Sequence, residues 1–286
     1  MTRVVYVNGR YKAYAHAFVH VEDRGFQFAD AVYEVCEVKE GAIVDRERHL
    51  ARLARSLGEL QMPVPMALAA LRHVLRETVR RNRVRNGLVY LQVSRGAAPR
   101  DFAFPPPGTP PTVVCLARSL PPERAAAQAE RGIAVITTPD IRWRRCDIKT
   151  VMLLPAVLAK REAAQKGAKE VWLVDDAGFV TEGASSNAWI VTEDGRVVTP
   201  RLSTSILPGV TRATLIDAIA REGLVLEERH FTPDEAAAAR EAFVTSATNT
   251  VMPVVSIDGS AIGDGRPGPL ARHLRKIFHS VAAIAE

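Results

Sequence analysis

Hydrophobic positions change period several times along this chain, and each change marks an element. Apolar and polar residues alternate through Val32-Tyr33-Glu34-Val35-Cys36-Glu37-Val38, the period of a half-buried strand, expected to run over 28–38 and to turn at Gly41. Residues 46–60 then put Leu50, Leu53, Leu57 and Leu60 on one stripe, which predicts an amphipathic helix. A second helix is expected over 66–83, followed by a strand from Gly87 to a stop at Gly96. Upstream, Tyr6-Val7-Asn8-Gly9-Arg10-Tyr11 predicts a hairpin, because Asn-Gly accepts the positive φ angles of a two-residue turn. Residues 104–111 hold five prolines and form a stiff loop, and 112–117 return as a strand.

Leu120-Pro121-Pro122-Glu123 is the expected domain boundary, since prolines after a strand prevent its continuation. Beyond it, 132–137 predicts a strand, and 153–166 a helix stopped by Gly167, where a left-handed cap wants glycine. Strands over 170–174 and 188–191 flank Thr181-Glu182-Gly183-Ala184-Ser185-Ser186-Asn187. A helix follows Gly209 as far as Glu222, and 242–246 is a further strand. Strands and helices alternate irregularly in both halves, so the expected class is α+β or mixed α/β. The expected domains are 1–120 and 125–286, joined by a linker at 121–124.

Composition narrows the function classes. Of 286 residues, 47% are apolar and 24% charged, an ordinary globular mixture. The net charge of +6 comes from arginines interleaved with acids, as in Arg46-Glu47-Arg48, and no run of like charge forms a nucleic-acid arm. Nucleic acid is therefore not an expected partner. Cys36, Cys115 and Cys146 are too far apart for a metal spacing or a disulfide framework, which fits a reducing cytoplasm and no metal. No stretch approaches the ~20 apolar residues of a membrane helix.

One lysine stands out. There are 7 lysines against 31 arginines, yet Lys149, with Thr150 after it, stands just before the apolar run Val151-Met152-Leu153-Leu154. Lysine can lose its proton when desolvated, whereas arginine cannot, and a neutral amine forms Schiff bases with carbonyls. The competing reading is a lysine at a helix start with its stem on the core and its head in water. A lysine-bound pyridoxal phosphate would make further demands. Its phosphate wants an arginine and the amides of a helix N-terminus, which Pro208-Gly209-Val210-Thr211-Arg212 can offer, although an ordinary capped helix has the same pattern. Its ring nitrogen wants a carboxylate. Glu182, bracketed by strands in an expected tight turn of small residues, is a candidate, as it is for a solvated loop acid. Thr248 is a further hydroxyl donor, and Tyr33 can face the ring's phenolic oxygen or simply pack.

Together these stretches resemble the fold-type IV pyridoxal-phosphate aminotransferases, nearest to the bacterial D-amino-acid transaminases. The resemblance is carried by Glu22-Asp23-Arg24-Gly25-Phe26-Gln27-Phe28, Tyr33-Glu34-Val35, Arg142-Trp143-Arg144-Arg145-Cys146-Asp147-Ile148-Lys149, Thr181-Glu182-Gly183, Ile206-Leu207-Pro208-Gly209 and Phe243-Val244-Thr245-Ser246. It implies a small N-terminal α/β domain, a larger C-terminal pseudo-barrel domain and pyridoxal 5'-phosphate in the cleft between them. It further implies catalytic roles for Lys149, Glu182 and Tyr33, with Lys149 the Schiff-base lysine. Arg52, Leu207, Val210, Thr211 and Thr248 would bind the cofactor, with Leu207 against its ring.

Substrate would meet Tyr33, Val35 and Arg100, the last reaching in from the partner of a homodimer. In Pro99-Arg100-Asp101-Phe102, Phe102 stands where those transaminases carry a histidine. The implied reaction is ping-pong transfer between a D-amino acid and a 2-oxo acid, with side activity on (R)-amines. Branched-chain L-amino-acid transaminase, (R)-amine transaminase and aminodeoxychorismate lyase are the alternatives within the fold.

Overall fold

The computed structural model describes residues 3–285, which fall into two compact units. The first comprises residues 3–121, 148–152 and 283–285. It opens with β1 (Val4–Val7) and β2 (Arg10–Ala13), paired so that Tyr6 faces Tyr11. Asn8 and Gly9 both take positive φ, at 45° and 85°, as the two-residue turn requires. The short helix α1 (Arg24–Phe28) follows, capped by the Asp23 carboxylate, and ends on Ala29 in the left-handed region at φ 56°. The strand expected from residue 28 therefore starts later, as β3 (Ala31–Lys39). The periodicity to its left is a single helical turn stopped by that backbone inversion.

The strand β4 (Ala42–Val44), helices α2 (Arg46–Glu59) and α3 (Leu68–Arg81), and strands β5 (Gly87–Ser94) and β6 (Thr112–Ser119) complete the stretch up to the boundary. The sheet is antiparallel throughout and is closed at one edge by the chain's last strand, β16 (Ile284–Ala285), in the order β16-β4-β3-β5-β6-β1-β2. Leu50, Leu53 and Leu57 of α2, with Leu71 and Leu75 of α3, are buried with Val89 and Leu91 of β5. Three of the four leucines of the predicted stripe thus lie on the face that packs, while Leu60 follows the last helical residue and is only half-buried.

The second unit comprises residues 122–147 and 153–282. The expected linker is not extended: Pro122 opens helix α4 (Pro122–Arg131), where its fixed φ and missing N–H suit a first helical residue. The order continues through β7 (Ile133–Pro139), α5 (Leu154–Gln165), β8 (Glu170–Val174), β9 (Val180–Gly183), β10 (Asn187–Val191), β11 (Val197–Thr199) and α6 (Val210–Arg221). It ends with β12 (Leu226–Glu228), α7 (Pro233–Ala237), β13 (Glu241–Ser246), β14 (Thr250–Ile257), β15 (Ser260–Ala261) and α8 (Pro269–Val281).

Nine strands form one mixed sheet in the order β12-β11-β10-β13-β14-β7-β8-β9, with β15 paired to β14. The link 184–186 joins β9, at one end of that order, to β10, third from the other. The sheet must therefore curl on itself into a half-barrel. Trp189 and Phe243 stack at 5.6 Å under α6 and α8, while Trp172 and Phe231 meet edge to face at 5.8 Å in the other core. No helix among the described residues is long and apolar enough to cross a membrane.

Candidate functional site

In the first unit, Lys149 lies not at a helix start but on a short extended segment against β3. Thr150 bridges Val32, the Tyr33 amide donates to the Lys149 carbonyl at 3.0 Å, and the Val151 amide donates to Ala31 at 3.1 Å. The Lys149 amide in turn donates to the hydroxyl of buried Ser56 on α2 at 3.3 Å. With its backbone held from two elements, the side chain is aimed. Its Nζ lies 4.2 Å from the centroid of the Tyr33 ring, which stacks on Tyr90 at 5.7 Å. Tyr33 and Val35 occupy the half-buried face of β3, and Glu34 the buried one.

Glu34 sits on that buried face among Val32, Cys36 and Val38. A charge there must be paired, and it is paired with the predicted phosphate ligand. Arg52 donates from Nε to Glu34 Oε1 at 2.8 Å and from Nη2 to Oε2 at 2.7 Å, and His49 Nδ1 lies 2.6 Å from Oε2. Burial alone would raise the Glu34 pKa, but the Arg52 charge and the hydrogen bonds from Arg52 and His49 outweigh it and bring it to about 2. Burial, with Arg52 and Lys149 close by, lowers the His49 pKa, so its neutral form donates Nδ1–H to the carboxylate. Arg100 and Phe102 stand exposed on the β5–β6 loop. The Arg100 guanidinium is 5.2 Å from the Phe28 ring and 5.8 Å from that of Phe102.

In the second unit, Glu182 is on β9 itself rather than in a turn, and only 5% exposed. Arg142 donates to its Oε1. Asn187 Nδ2 donates to Oε2 at 3.2 Å, and the Leu207 amide does so at 3.1 Å. Arg142 is gripped in turn by both oxygens of Asp140, at 2.9 and 2.7 Å, and donates to the Ser205 carbonyl at 3.0 Å. Burial would lower the Arg142 pKa, but Asp140 and Glu182 raise it. Burial would raise that of Asp140, but Arg142 and Thr181 lower it. Asp140 and Arg142 therefore both stay charged in near-neutral water.

Gly209 caps the twelve-residue helix α6 without a side-chain hydrogen bond, leaving the first-turn amides of Val210 and Thr211 for an acceptor from elsewhere. A Cβ at Gly209 would lie 2.0 Å from Asn187 Oδ1, so only glycine lets the helix start this close to the Glu182 support. Thr248 is exposed, its hydroxyl 3.4 Å from that of Ser246, and among the described residues it has no hydrogen bond to Val210 or Thr211.

The structure thus joins Lys149 to Tyr33, Glu182 to Leu207, and Arg100 to Phe102. It adds Glu34, His49, Asp140, Arg142 and Asn187, none of which sequence reasoning had assigned a role. One signal was available: Glu34 falls at a core position of an alternating strand, and a buried carboxylate needs a cation.

The family model described as amino-transferase class IV matches residues 31–257. A D-alanine aminotransferase from Bacillus licheniformis is 39% identical over 271 residues, covering 95% of this chain and 94% of that protein. One from Staphylococcus haemolyticus is 37% identical, covering 98% and 97%. Among solved structures, a branched-chain amino acid aminotransferase from T.th., with pyridoxamine 5'-phosphate, matches with a TM-score of 0.89 and 27% identity, over 98% of this chain and 94% of that one. The Escherichia coli branched-chain enzyme, at TM-score 0.90 and 24% identity over 98% and 95%, shares the fold.

Proposed function

The chain belongs to the class IV aminotransferases, and from that premise we infer that it transfers an amino group between a D-amino acid and a 2-oxo acid, using pyridoxal 5'-phosphate. The buried carboxylate of Glu182, fixed through both oxygens, is the observation that carries the cofactor reading. A buried charge supported by Arg142, Asn187 and a backbone amide is built to face a cationic ring nitrogen. The other donors fit the same group: an aimed amine at Lys149, a buried guanidinium at Arg52, and a glycine-capped helix start for a phosphate.

In this reading Lys149 holds the cofactor's aldehyde carbon and Glu182 keeps its ring nitrogen protonated. Arg52, the amides of Val210 and Thr211, and the Thr248 hydroxyl hold the phosphate. Leu207 would lie against the ring and Tyr33 beside its phenolic oxygen. The bound cofactor supplies an electron sink for the pair left when the donor's α-carbon loses its proton. Once the donor's own amine has displaced it from the aldehyde carbon, the freed Lys149 Nζ would take that proton and return it from one face only, which would fix the stereochemistry. Glu34 keeps Arg52 in place, so the phosphate end does not shift as the lysine works.

D-amino acids are the favoured donors because the curated relatives that align over nearly the whole chain are D-alanine aminotransferases. A carboxylate-binding arginine, Arg100, stands on the β5–β6 loop. We place it in the neighbouring subunit's site of a homodimer. Phe18, Val21, Phe26 and Phe102, between 72% and 83% exposed in the single chain, support a second copy as their cover. The three free, buried cysteines favour the cytoplasm.

A donor panel tests the reading: D- and L-amino acids and both enantiomers of 1-phenylethylamine, with pyruvate or 2-oxoglutarate as acceptor. Turnover confined to L-amino acids such as leucine would replace it with the branched-chain alternative. Borohydride reduction of the holoenzyme should label Lys149, and Lys149→Ala should abolish both label and turnover. Label on Lys160 or Lys166 would sink the assignment.

A further inference from the structure

Arg24 is 4% exposed, and its guanidinium is committed in two directions. Nε donates to Asp30 Oδ2 at 2.9 Å. Nη1 donates to two carbonyls, that of Asp101 at 2.7 Å and that of Ala103 at 3.2 Å. These are the carbonyls on either side of Phe102. Both peptide units turn inward onto one nitrogen, and the Phe102 side chain between them is left 83% exposed. Asp30 is itself held by Arg95, which donates to the same oxygen at 2.7 Å, donates to the Leu60 carbonyl at 2.7 Å, and lies over the Phe104 ring at 3.9 Å. The Arg24 guanidinium covers one side of the Phe28 ring at 4.7 Å, and Phe28 meets Phe102 at 5.8 Å and Arg100 at 5.2 Å.

The loop rests its Phe102 and Phe104 rings on Phe28 and Arg95, but its tip lies in solvent. The backbone on either side of that tip is tied down by a buried cation beneath it. Two carbonyls on one guanidinium nitrogen are charge-assisted hydrogen bonds, stronger than neutral ones. They fix the backbone at the residues next to Phe102 and thereby the reach of Arg100. Lysine could keep the ion pair with Asp30, but it has no planar fork with which to serve the carboxylate and the two carbonyls together.

We propose that Arg24 is a positioning residue for donor selectivity: through the carbonyls of Asp101 and Ala103 it sets where Arg100 and Phe102 meet the carboxylate of the amino donor. The proposal rests on the reading that the β5–β6 loop recognises that carboxylate. It is separate from the cofactor machinery, so it makes a split expectation. In Arg24→Lys holoenzyme, the visible band of the bound cofactor and kcat at saturating D-alanine should stay unchanged. KM for D-alanine and for pyruvate should rise about tenfold, the scale of one lost charged contact. KM for (R)-1-phenylethylamine, which has no carboxylate, should not move.

The companion variant is Arg100→Ala, at an exposed position whose replacement leaves the fold intact. If Arg100→Ala raises the D-alanine KM and Arg24→Lys added to it raises KM no further, the two act as one unit and the proposal stands. If Arg100→Ala raises KM and Arg24→Lys alone does not, the clamp is wrong and the loop reading survives. An unchanged KM in Arg100→Ala removes the loop reading and the proposal with it. A loss of cofactor or equal losses for donors with and without a carboxylate in Arg24→Lys would make Arg24 merely structural. Should Arg24→Lys not accumulate, Asp30→Asn, which frees the other end of the guanidinium, carries the same expectations.

Discussion

Arg142 holds one oxygen of Glu182 while Asp140 holds Arg142, so the carboxylate proposed to face the cofactor is the end of a three-residue chain of charge. With Oε2 taken by Asn187 and the Leu207 amide, the carboxylate cannot rotate without breaking contacts. Glu182→Gln keeps the shape and removes the charge. The variant should still bind pyridoxal phosphate, with kcat lowered by about 10²–10³, the usual scale for loss of an aligned electrostatic partner. Single-turnover kinetics with D-alanine make the comparison, and an unchanged rate would take Glu182 out of the mechanism.

Gly209→Ala tests the same support from the other side. The added Cβ would sit 2.0 Å from Asn187 Oδ1, and Asn187 has to give way, loosening its bond to Glu182. The helix start at Val210 shifts with it. We expect a fall in cofactor affinity of about tenfold or more and a melting temperature of the apoprotein lower by several degrees, since overpacking of one methyl costs about 1–3 kcal/mol. Titration of apoprotein with pyridoxal phosphate gives the answer, and unaltered affinity would show that Asn187 can move freely.

These two supports also mark what the sequence could and could not disclose. The leucine stripe of α2, the alternation of β3 and the Asn8-Gly9 turn are local and were legible, because period and turn chemistry act within a few residues. Lys149 was legible as a lone lysine before an apolar run. Its setting was not: the segment pairs with β3 through contacts more than a hundred residues apart, which no window can register. Arg142 gave no local sign of its importance in a chain with 31 arginines, since its value comes from Glu182 forty positions away. Glu182 was placed in a turn because Gly183 and two serines follow it. Pairing with β8 overrides that composition and draws it into a strand.

The Glu34–Arg52–His49 cluster predicts how stability depends on pH. Glu34 titrates at about 2 in the fold against an ordinary 4.5, so the folded value lies below the unfolded one. Its contribution is therefore fully present above pH 4.5 and lost as the pH falls through about 2, a total of ~3 kcal/mol. His49, also lowered from 6.5, adds a loss in the same direction that begins below that value. Melting temperature should decline in two stages on acidification. Glu34→Gln should remove the lower stage and destabilise at neutral pH by about 3–5 kcal/mol, because Arg52 is left buried without its counter-charge. A Glu34→Gln profile that keeps the acid stage would assign that stage to another carboxylate.

Phe102 supplies the last prediction, on substrate choice. A histidine at this position would give a donor carboxylate a second hydrogen bond beside Arg100, and phenylalanine gives none. Its ring, 83% exposed in the single chain and 5.8 Å from Phe28, adds apolar surface instead. A carboxylate brought against it is desolvated with less compensation. One hydrogen bond to a charged group is worth about 1.5–3 kcal/mol, on the order of tenfold to a hundredfold in affinity. D-amino acids should accordingly be turned over with a raised KM, and (R)-1-phenylethylamine should be a slower but detectable donor. Phe102→His should raise kcat/KM for D-alanine by about tenfold or more and leave that for the (R)-amine level or lower. Equal values for both donors before and after the change would mean that Phe102 only packs on Phe28, and the case for amine turnover would fall with it.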